Sequence, residues 1–265
     1  MSKFFVNSEQ ICNKEIEIIG GDVNHIKNVL RAKVDEVINI CNSDSCQDYK
    51  CKIISINKDC VKCEIIEEME NNVESNVFVS IFQGLPKSDK MELIIQKSVE
   101  LGVYDITPVE MKRCIVKFNN KDKEKKISRW QKISEVAAKQ CGRNIIPKIN
   151  NVINVKNICN LCNKYDIVIV AYEQEKNNTL KDELVKLKKI KGKVPSQNLK
   201  KLDDNEIFLK EIKIAVVIGP EGGFEESEIE ILKKAGMKIV TLGKRILRTE
   251  TVALNMISSI MYEFN

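Results

Sequence analysis

Several features that would place a chain in a common class of protein are missing from this sequence. It has no run of 18 apolar residues, so no segment is predicted to span a membrane as a helix. Its first residues lack the apolar stretch of a secretory signal peptide. Histidine occurs once, at His25, and its position on a predicted helix face favours a structural role over that of a catalytic base. The informative features are therefore the cysteines, the charges and the loops.

The ten cysteines do not have the spacing of a disulfide-rich secreted protein. In a chain of 265 residues without a signal peptide, we expect them to remain reduced in the cytoplasm. Two Cys-x-x-Cys pairs, Cys60 with Cys63 and Cys159 with Cys162, could in principle supply four zinc ligands. The first pair lies in an alternating, strand-like run without the glycines of a zinc knuckle, so we predict no metal.

The net charge of +5 is unevenly distributed. Residues 1–72 carry 9 basic and 13 acidic side chains, whereas residues 112–132 carry 9 and 2, and residues 181–201 carry 8 and 2. Clustered lysine and arginine are typical of a surface that binds a polyanion such as RNA. A solvated lysine-rich surface has the same composition, so charge alone leaves both interpretations open.

The pattern of apolar residues divides the chain into two predicted domains. Short alternating runs at 37–41, 49–56 and 60–66 indicate a small β-barrel over residues 1–72. Further on, near-continuous apolar runs alternate with helical patterns, which predicts an α/β domain with a mainly parallel sheet over residues 73–265. Predicted helices cover residues 22–33, 89–101, 121–141, 225–235 and 251–264, and predicted buried strands cover 76–85, 106–109, 166–172, 212–218 and 238–242.

Two loops follow predicted strands and precede predicted helices, which is where α/β proteins bind ligands. The glycine loop, residues 218–224 (IGPEGGF), presents backbone N–H groups that can hold an anion or an adenine edge. It is neither a Walker A motif nor GxGxxG, and a tight turn would also explain its glycines. The basic loop, residues 242–251 (LGKRILRTET), has three basic residues, one acid and two hydroxyls, more than a structural loop needs. Within it, Thr249 is a candidate helix cap.

Together the two loops resemble those of the SPOUT-class RNA methyltransferases, and within that class the bacterial 16S ribosomal RNA (uracil-N3)-methyltransferases. The segments HIKNVLR, QGLPKSDKMELIIQKSVELGV and RWQKISEVAAKQCGRNIIP extend the resemblance along the chain. The resemblance implies a PUA-like, RNA-binding amino-terminal barrel and a carboxyl-terminal α/β domain with a trefoil knot. It also implies S-adenosyl-L-methionine as cofactor and a homodimer. Pattern reasoning alone would not predict a knot.

The resemblance further implies which residues bind the cofactor, mostly through their backbone groups. They are Tyr172, Ile218, Gly219, Pro220, Glu221, Gly222, Leu242, Gly243, Ile246, Leu247 and Arg248. Lys244 and Val252 depart from the commoner residues of the family. The segment between Glu173 and Glu211 is longer than the family usually shows, which leaves its role open.

Methylation of uracil N3 requires that the proton on that nitrogen be removed or that the uracil anion be stabilised. Arg248 is the candidate for stabilising the anion, and Glu250 is the candidate base or orienting group. An ion pair between these two residues is the alternative interpretation. No metal is required, because the methyl donor is already activated. Arg31, Lys87 and Arg143 are candidates for binding RNA phosphates.

Two other functions remain open at this point. The chain could be a non-catalytic RNA-binding or ribosome-assembly factor that keeps the barrel and the basic surface. It could also be a knotted methyltransferase that acts on another RNA or on a ribose 2′-hydroxyl. The glycine loop and the sequence at 248–250 favour a base methyltransferase, whose substrate would be naked 16S rRNA or the assembled small ribosomal subunit.

Overall fold

The computed structural model describes residues 3–70, 73–191 and 211–264. Two compact units are present: residues 1–74 together with 135–146, and residues 75–134 together with 147–265. Within the described ranges, no helix is both long and apolar enough to cross a membrane. The domain boundary predicted between residues 72 and 73 stays a prediction.

The first unit is built on a six-stranded sheet with the order β1-β4-β5-β6-β3-β2. β1 and β4 are parallel, and the other neighbours are antiparallel. Its elements are β1 (Lys3–Val6), β2 (Ile11–Cys12), β3 (Glu15–Ile19), α1 (Gly21–Asn24), β4 (Val37–Asn42), β5 (Asp48–Ile56) and β6 (Cys60–Met69). β3 was not predicted, although its alternating sequence EIEII is a strand signal and buries Ile16 and Ile18.

The helix predicted over residues 22–33 is shorter and wider than expected. After α1 the chain forms a π-helical segment, His25–Val29, in which the Leu30 N–H donates to the His25 carbonyl five residues back at 2.9 Å. Each hydrogen bond of a π-helical turn spans five residues instead of four. The turn is therefore wider, and later apolar side chains are rotated off the buried face. Ile26 is fully buried, whereas Val29 is 65% exposed.

Within the first unit, buried polar contacts join Gly142 and Asn144 to the sheet. The Lys3 ammonium donates to Asp48 at 2.7 Å, to the Asn144 side chain at 2.6 Å and to the Gly142 carbonyl at 2.9 Å. Lys3 and Asp48 are almost fully buried, so each needs the other as a partner. These bonds explain why residues 135–146 belong to the first unit.

The second unit is an α/β structure around a fully parallel sheet with the order β10-β8-β7-β12-β11-β13, and β9 pairs with β8. Its strands are β7 (Val77–Gly84), β8 (Asp105–Glu110), β9 (Lys148–Ile149), β10 (Ile153–Asn154), β11 (Ile167–Ala171), β12 (Ile212–Ile218) and β13 (Lys238–Val240). Its helices are α2 (Lys90–Glu100), α3 (Asn120–Cys141), α4 (Val155–Leu161), α5 (Leu180–Lys191), α6 (Glu226–Lys234) and α7 (Thr249–Phe264), of which α3 extends into the first unit. The α/β class and the parallel sheet predicted from the sequence are confirmed.

The central strands are buried on both faces, as their continuous apolar sequences predict. Ile214, Val216 and Ile218 of β12 are at most 1% exposed, and so are the intervening Ala215 and Val217. Trp130 of α3 is 3% exposed and belongs to the core. The core therefore holds the carboxyl ends of β12 and its neighbours in place, where the glycine loop begins.

Helix ends agree with the sequence signals where glycine takes a left-handed conformation. Gly102 follows α2 with φ of 94°, and Gly236 follows α6 with φ of 85°. The last helix is longer than predicted and begins at Thr249. In the lysine-rich segment 181–201, α5 covers the first part, and residues beyond 191 lie outside the described residues.

The cysteines are all free thiols. Cys60 and Cys63 lie three residues apart on β6, so strand alternation directs them to opposite faces of the sheet. Burial raises the pKa of the Cys63 thiol to about 12, which keeps it protonated. Across the part of the chain that the structure describes, no group of three or more metal-binding side chains is assembled.

Candidate functional site

A cavity of about 480 Å³ lies beside the carboxyl ends of β11, β12 and β13. Its volume is in the range of small-molecule sites. All of the residues predicted to bind a cofactor line it, namely Tyr172, Ile218, Gly219, Pro220, Glu221, Gly222, Leu242, Gly243, Ile246, Leu247 and Arg248. The structure thus brings both loops to one cavity, and the cofactor-binding role of these residues stays a prediction.

The glycine loop is tightly enclosed by neighbouring elements. A Cβ atom on Gly84, at the end of β7, would lie 2.7 Å from both the nitrogen and the Cδ of Pro220. Gly223 has φ of 67°, and a Cβ there would lie 2.6 Å from a carboxylate oxygen of Glu173. Gly84 is therefore needed for space, because a real Cβ does not approach backbone atoms so closely, and Gly223 is needed for its left-handed conformation. The path of the loop backbone is therefore set by packing.

Two aromatic residues, Tyr172 and Phe224, and the carboxylate of Glu173 support the glycine loop. Phe224 is 2% exposed, and its ring meets the edge of Tyr172 with centroids 6.3 Å apart. Burial, followed by the charges of Glu173 and Glu226, raises the pKa of the Tyr172 hydroxyl. Tyr172 therefore stays neutral near pH 7 and presents both a ring and a hydroxyl to the cavity.

The basic loop is open by comparison. Gly243 has φ of 109°, and an added Cβ would find no atom within 4 Å. Ile246 is 87% exposed, and Lys244, Arg245 and Arg248 are exposed as well. No hydrogen bond or ion pair of the Arg248 side chain is found within residues 3–70, 73–191 and 211–264. The guanidinium is therefore free to bind a ligand at the cavity.

Thr249 joins the two loops. Its hydroxyl donates to the Gly219 carbonyl at 2.7 Å and accepts a bond from the Gln83 side-chain amide at 2.9 Å. The residue is 5% exposed, so both bonds are shielded from water. Thr249 was predicted to cap the last helix, but it is the first residue of α7 and bonds across the cavity instead. Sequence reasoning missed this role because the partner residues are distant in the chain.

Lys90 is a second residue that sequence reasoning missed. It is the first residue of α2 and lines the cavity, with its ammonium 3.2 Å from Glu221 and 3.4 Å from Glu250. Hydrogen bonding to Glu221, followed by the carboxylate charges, raises the pKa of Lys90. The motif PKSDKMEL contains this lysine, but only the apolar positions of the helix were informative from the sequence.

Glu221 is held ionised by several donors. Burial opposes ionisation, but its own backbone N–H, the Lys87 N–H at 3.0 Å and the Lys90 ammonium together lower the pKa of this carboxyl. Glu250 pairs with Lys90 rather than Arg248 in the structure, so the alternative of a Glu250–Arg248 ion pair is not observed. Lys90 therefore connects the glycine loop to the start of α7.

The three residues predicted to bind RNA differ in their surroundings. Arg31 and Lys87 are exposed, and Arg31 has φ of 52° in the turn that follows the π-helical segment. Arg143 is 7% exposed, and its guanidinium binds Glu74 at 2.6 Å within the first unit. A phosphate contact by Arg143 would require this ion pair to open. Arg31 and Lys87 fit the prediction without rearrangement.

Comparison with known families assigns the chain as a whole. Residues 73–261 match a family model described as an RNA methyltransferase domain, and residues 18–74 match one described as an RNA methyltransferase PUA domain. The chain belongs to the RNA methyltransferase family. This confirms the family and the PUA-like first unit that the loop sequences predicted. The trefoil knot stays a prediction of the resemblance.

Characterised RNA methyltransferases are similar to this chain over its full length. Ribosomal RNA small subunit methyltransferase E of Bacillus subtilis is 34% identical, covering 99% of this chain and 97% of the relative. The protein of the same name from Mesomycoplasma hyopneumoniae is 33% identical, covering 96% of each chain. The similarity therefore includes both units and is not confined to the cavity.

Solved structures of similar methyltransferases have the same fold. Ribosomal RNA small subunit methyltransferase E from Neisseria gonorrhoeae, bound to S-adenosyl methionine, is 28% identical with a TM-score of 0.79, covering 99% of this chain and 97% of that one. A methyltransferase from Legionella pneumophila in complex with the same cofactor is 28% identical with a TM-score of 0.79, covering 98% and 96%.

Proposed function

We propose that this chain is an S-adenosyl-L-methionine-dependent methyltransferase that modifies N3 of a specific uridine in 16S rRNA of the small ribosomal subunit. The observation that carries the proposal is the single cavity lined by both loops, with every predicted cofactor residue in its wall. Support also comes from full-length relatives named as ribosomal RNA small subunit methyltransferases. A related structure bound to S-adenosyl methionine supports the choice of cofactor.

The residues around the cavity fit this cofactor. Gly84 leaves no room for a side chain and Gly223 has a left-handed φ, so the glycine loop can present its backbone N–H and C=O groups to a nucleoside. Tyr172 offers an aromatic surface beside them. When bound, the cofactor supplies an activated methyl group. The protein therefore has to position the uracil and manage its N3 proton.

Arg248 and Glu250 are our candidates for these tasks. Glu250 would accept the proton from N3, and the Arg248 guanidinium would stabilise the negative charge that develops on the uracil oxygens. Arg248 is exposed beside the cavity, and its guanidinium carries a permanent charge. Only 15% of the Glu250 side chain is exposed, which limits competition from water. Orientation and electrostatics can then supply the acceleration.

Binding of the RNA would involve surfaces beyond the cavity. Arg31 and Lys87 are exposed cations that can bind phosphates, and the basic segment 112–132 adds to the positive field. We also propose a homodimer, because large apolar side chains such as Ile246 and Tyr262 are 87% and 90% exposed in the basic loop and in α7. The ribosomal substrate implies a cytoplasmic location.

Primer extension on 16S rRNA from cells with and without the gene tests the proposal. An N3-methyl group blocks the pairing edge of uracil, so reverse transcriptase should stop one nucleotide before it only in rRNA from cells with the gene. Treating naked 16S rRNA and assembled small subunits from the deletion strain with purified protein then identifies the substrate. An identical stop pattern in both strains would refute the assignment.

Binding of the cofactor provides an independent test. Calorimetry with S-adenosyl-L-methionine should detect binding to the native chain and none to Gly219→Trp, because even a Cβ at Gly219 would lie 3.1 Å from the Phe224 ring. Salt-dependent RNA binding without any heat from the cofactor would instead favour a non-catalytic RNA-binding factor. Methylation without a strong stop would favour a ribose 2′-hydroxyl as the target.

A further inference from the structure

Lys90 belongs to neither of the two loops, yet its ammonium reaches both sides of the cavity. It lies 3.2 Å from Oε1 of Glu221 in the glycine loop and 3.4 Å from Oε2 of Glu250 in the first turn of α7. Both distances exceed the roughly 2.7–2.9 Å of a close charge-assisted hydrogen bond. One ammonium is therefore shared between two carboxylates from distant parts of the chain.

The two carboxylates depend on Lys90 to different extents. Glu221 also accepts hydrogen bonds from the Lys87 backbone N–H at 3.0 and 3.3 Å. Oε2 of Glu250, by contrast, is buried and has no hydrogen-bond partner in the part of the chain that the structure describes. The ammonium of Lys90 is the only cation found within ion-pair distance of Glu250 among those same residues. Loss of Lys90 should therefore affect Glu250 more than Glu221.

Arg248 takes no part in this contact. It precedes α7 while Glu250 lies in its first turn, and side chains two residues apart in a helix do not face each other. Glu250 pairs with Lys90 of α2, and the Arg248 guanidinium has no ion pair within the described ranges. A proton acceptor and a cation that serve one reaction act best when they are not paired to each other, since each then stays accessible to the substrate.

We propose that Lys90 is a positioning residue that holds the Glu250 carboxylate at the cavity, so that Glu250 can accept the uracil proton while Arg248 faces the developing anion. This inference rests on the proposed function. In the step it serves, the N3–H bond breaks and its proton passes to Glu250. The N3 electron pair forms the new bond to the methyl carbon, and the bond from that carbon to sulfur breaks, leaving its electrons on sulfur.

The test compares Lys90→Met, Lys90→Arg and the control Lys97→Met in the full chain. Lys97 lies on the same helix and pairs with Glu100 at the surface, at 2.8 Å. We expect Lys90→Met to lower kcat by about tenfold or more, with KM for RNA changed by less than about threefold. Lys90→Arg should restore most of kcat, and Lys97→Met should match the native chain.

A double-mutant cycle identifies the residue through which Lys90 acts. If Lys90 works through Glu250, then Lys90→Met combined with Glu250→Gln should have the kcat of Glu250→Gln alone, whereas independent roles would multiply their losses. Multiplied losses or no rescue by arginine would each overturn the proposal. So would an equal loss of kcat in Lys97→Met.

The same cycle in urea unfolding separates this inference from the proposed function. If the ion pair exists, the urea midpoint of the double variant should equal that of the less stable single variant. If it does not exist, the midpoint shifts of the two single variants should add. That readout needs no substrate. A native chain that methylates no RNA but shows this coupling would refute the proposed function while leaving the ion pair intact. Additive midpoints in an active enzyme would refute the role of Lys90 alone.

Discussion

The glycine loop and the basic loop, which form the two walls of the cavity, differ in how closely they are packed. The glycine loop is closely packed where it begins: Gly219 and Pro220 are buried, and a Cβ at Gly84 would collide with Pro220, although Glu221 and Gly222 are exposed. In the basic loop, residues 243–246 are exposed, and Gly243 has open space around it. The first wall therefore acts through the position of its backbone, and the second can act through its charged side chains.

Substitutions in the two loops should therefore have different effects. Changes in the enclosed wall should alter both stability and cofactor binding, because packing sets the backbone path. Changes to exposed charges in the open wall should alter turnover with little effect on stability, because exposed substitutions seldom change it by more than about 0.5 kcal/mol.

Arg248→Ala should cause the largest loss. Removing a group that stabilises charge in the transition state costs about 10²–10³-fold in kcat. Because Arg248 is exposed, the urea midpoint should stay near that of the native chain. Single-turnover methylation of 16S rRNA measures the loss. Lys244→Ala, another exposed cation of the same loop, is the control and should lose less than about threefold in rate. Equal losses in the two variants would contradict a specific role for Arg248.

Gly84→Ala should destabilise the enclosed wall. Its Cβ would meet Pro220 backbone and ring atoms at 2.7 Å, and overpacking of this kind costs about 1–3 kcal/mol. Cofactor affinity measured by calorimetry should fall as the glycine loop moves. Gly21→Ala is the control, since a Cβ there would meet no atom within 4 Å and φ is not left-handed. A Gly84→Ala chain with native stability and affinity would show that the loop is not set by this contact.

Thr249→Val should remove the hydrogen bond between the two loops without changing the shape of the cavity walls. The substitution keeps the volume but removes the hydroxyl that bonds Gly219 and Gln83, which should cost about 1–3 kcal/mol in unfolding free energy. Cofactor affinity should fall along with stability. Thr251→Val, on an exposed face of the same helix, should leave both quantities unchanged. If Thr249→Val matched that control, the bond between the loops would not matter to the site.

The pH dependence of Glu221 should give the smallest effect. The pKa of this carboxyl is lowered below its ordinary value of 4.5, so its contribution to stability is present above that value and is lost as pH falls through the folded-state pKa. The urea midpoint of the native chain should therefore exceed that of Glu221→Gln at pH 7, and the difference should shrink below pH 4.5. High salt should also reduce it, because the side chain is 26% exposed. A difference that grew on acidification would contradict this assignment of charge.

Much of the fold was predictable because its signals are local. The apolar sequence at 212–218 predicted β12 to the residue, and Gly102 and Gly236 marked the ends of α2 and α6. The exposure of Val29 was not predictable, because a π-helical turn depends on tertiary packing rather than on local propensity. Nor did any local signal assign residues 135–146 to the first unit, since that assignment follows from buried bonds between Lys3 and a segment more than a hundred residues away.

The sequence by itself determined that the two loops would line a ligand site, because each follows a buried parallel strand and precedes a helix, but it did not identify Lys90, which also lines the cavity. It also determined the family, through motifs that extend along the whole chain. Only the tertiary structure decided the partners of the charged groups. Lys90 meets Glu221 and Glu250, and Thr249 meets Gly219 and Gln83, across sequence separations that local patterns do not encode. Strand and helix signals depend on neighbouring residues, whereas ion pairs and side-chain hydrogen bonds depend on which elements the sheet brings together.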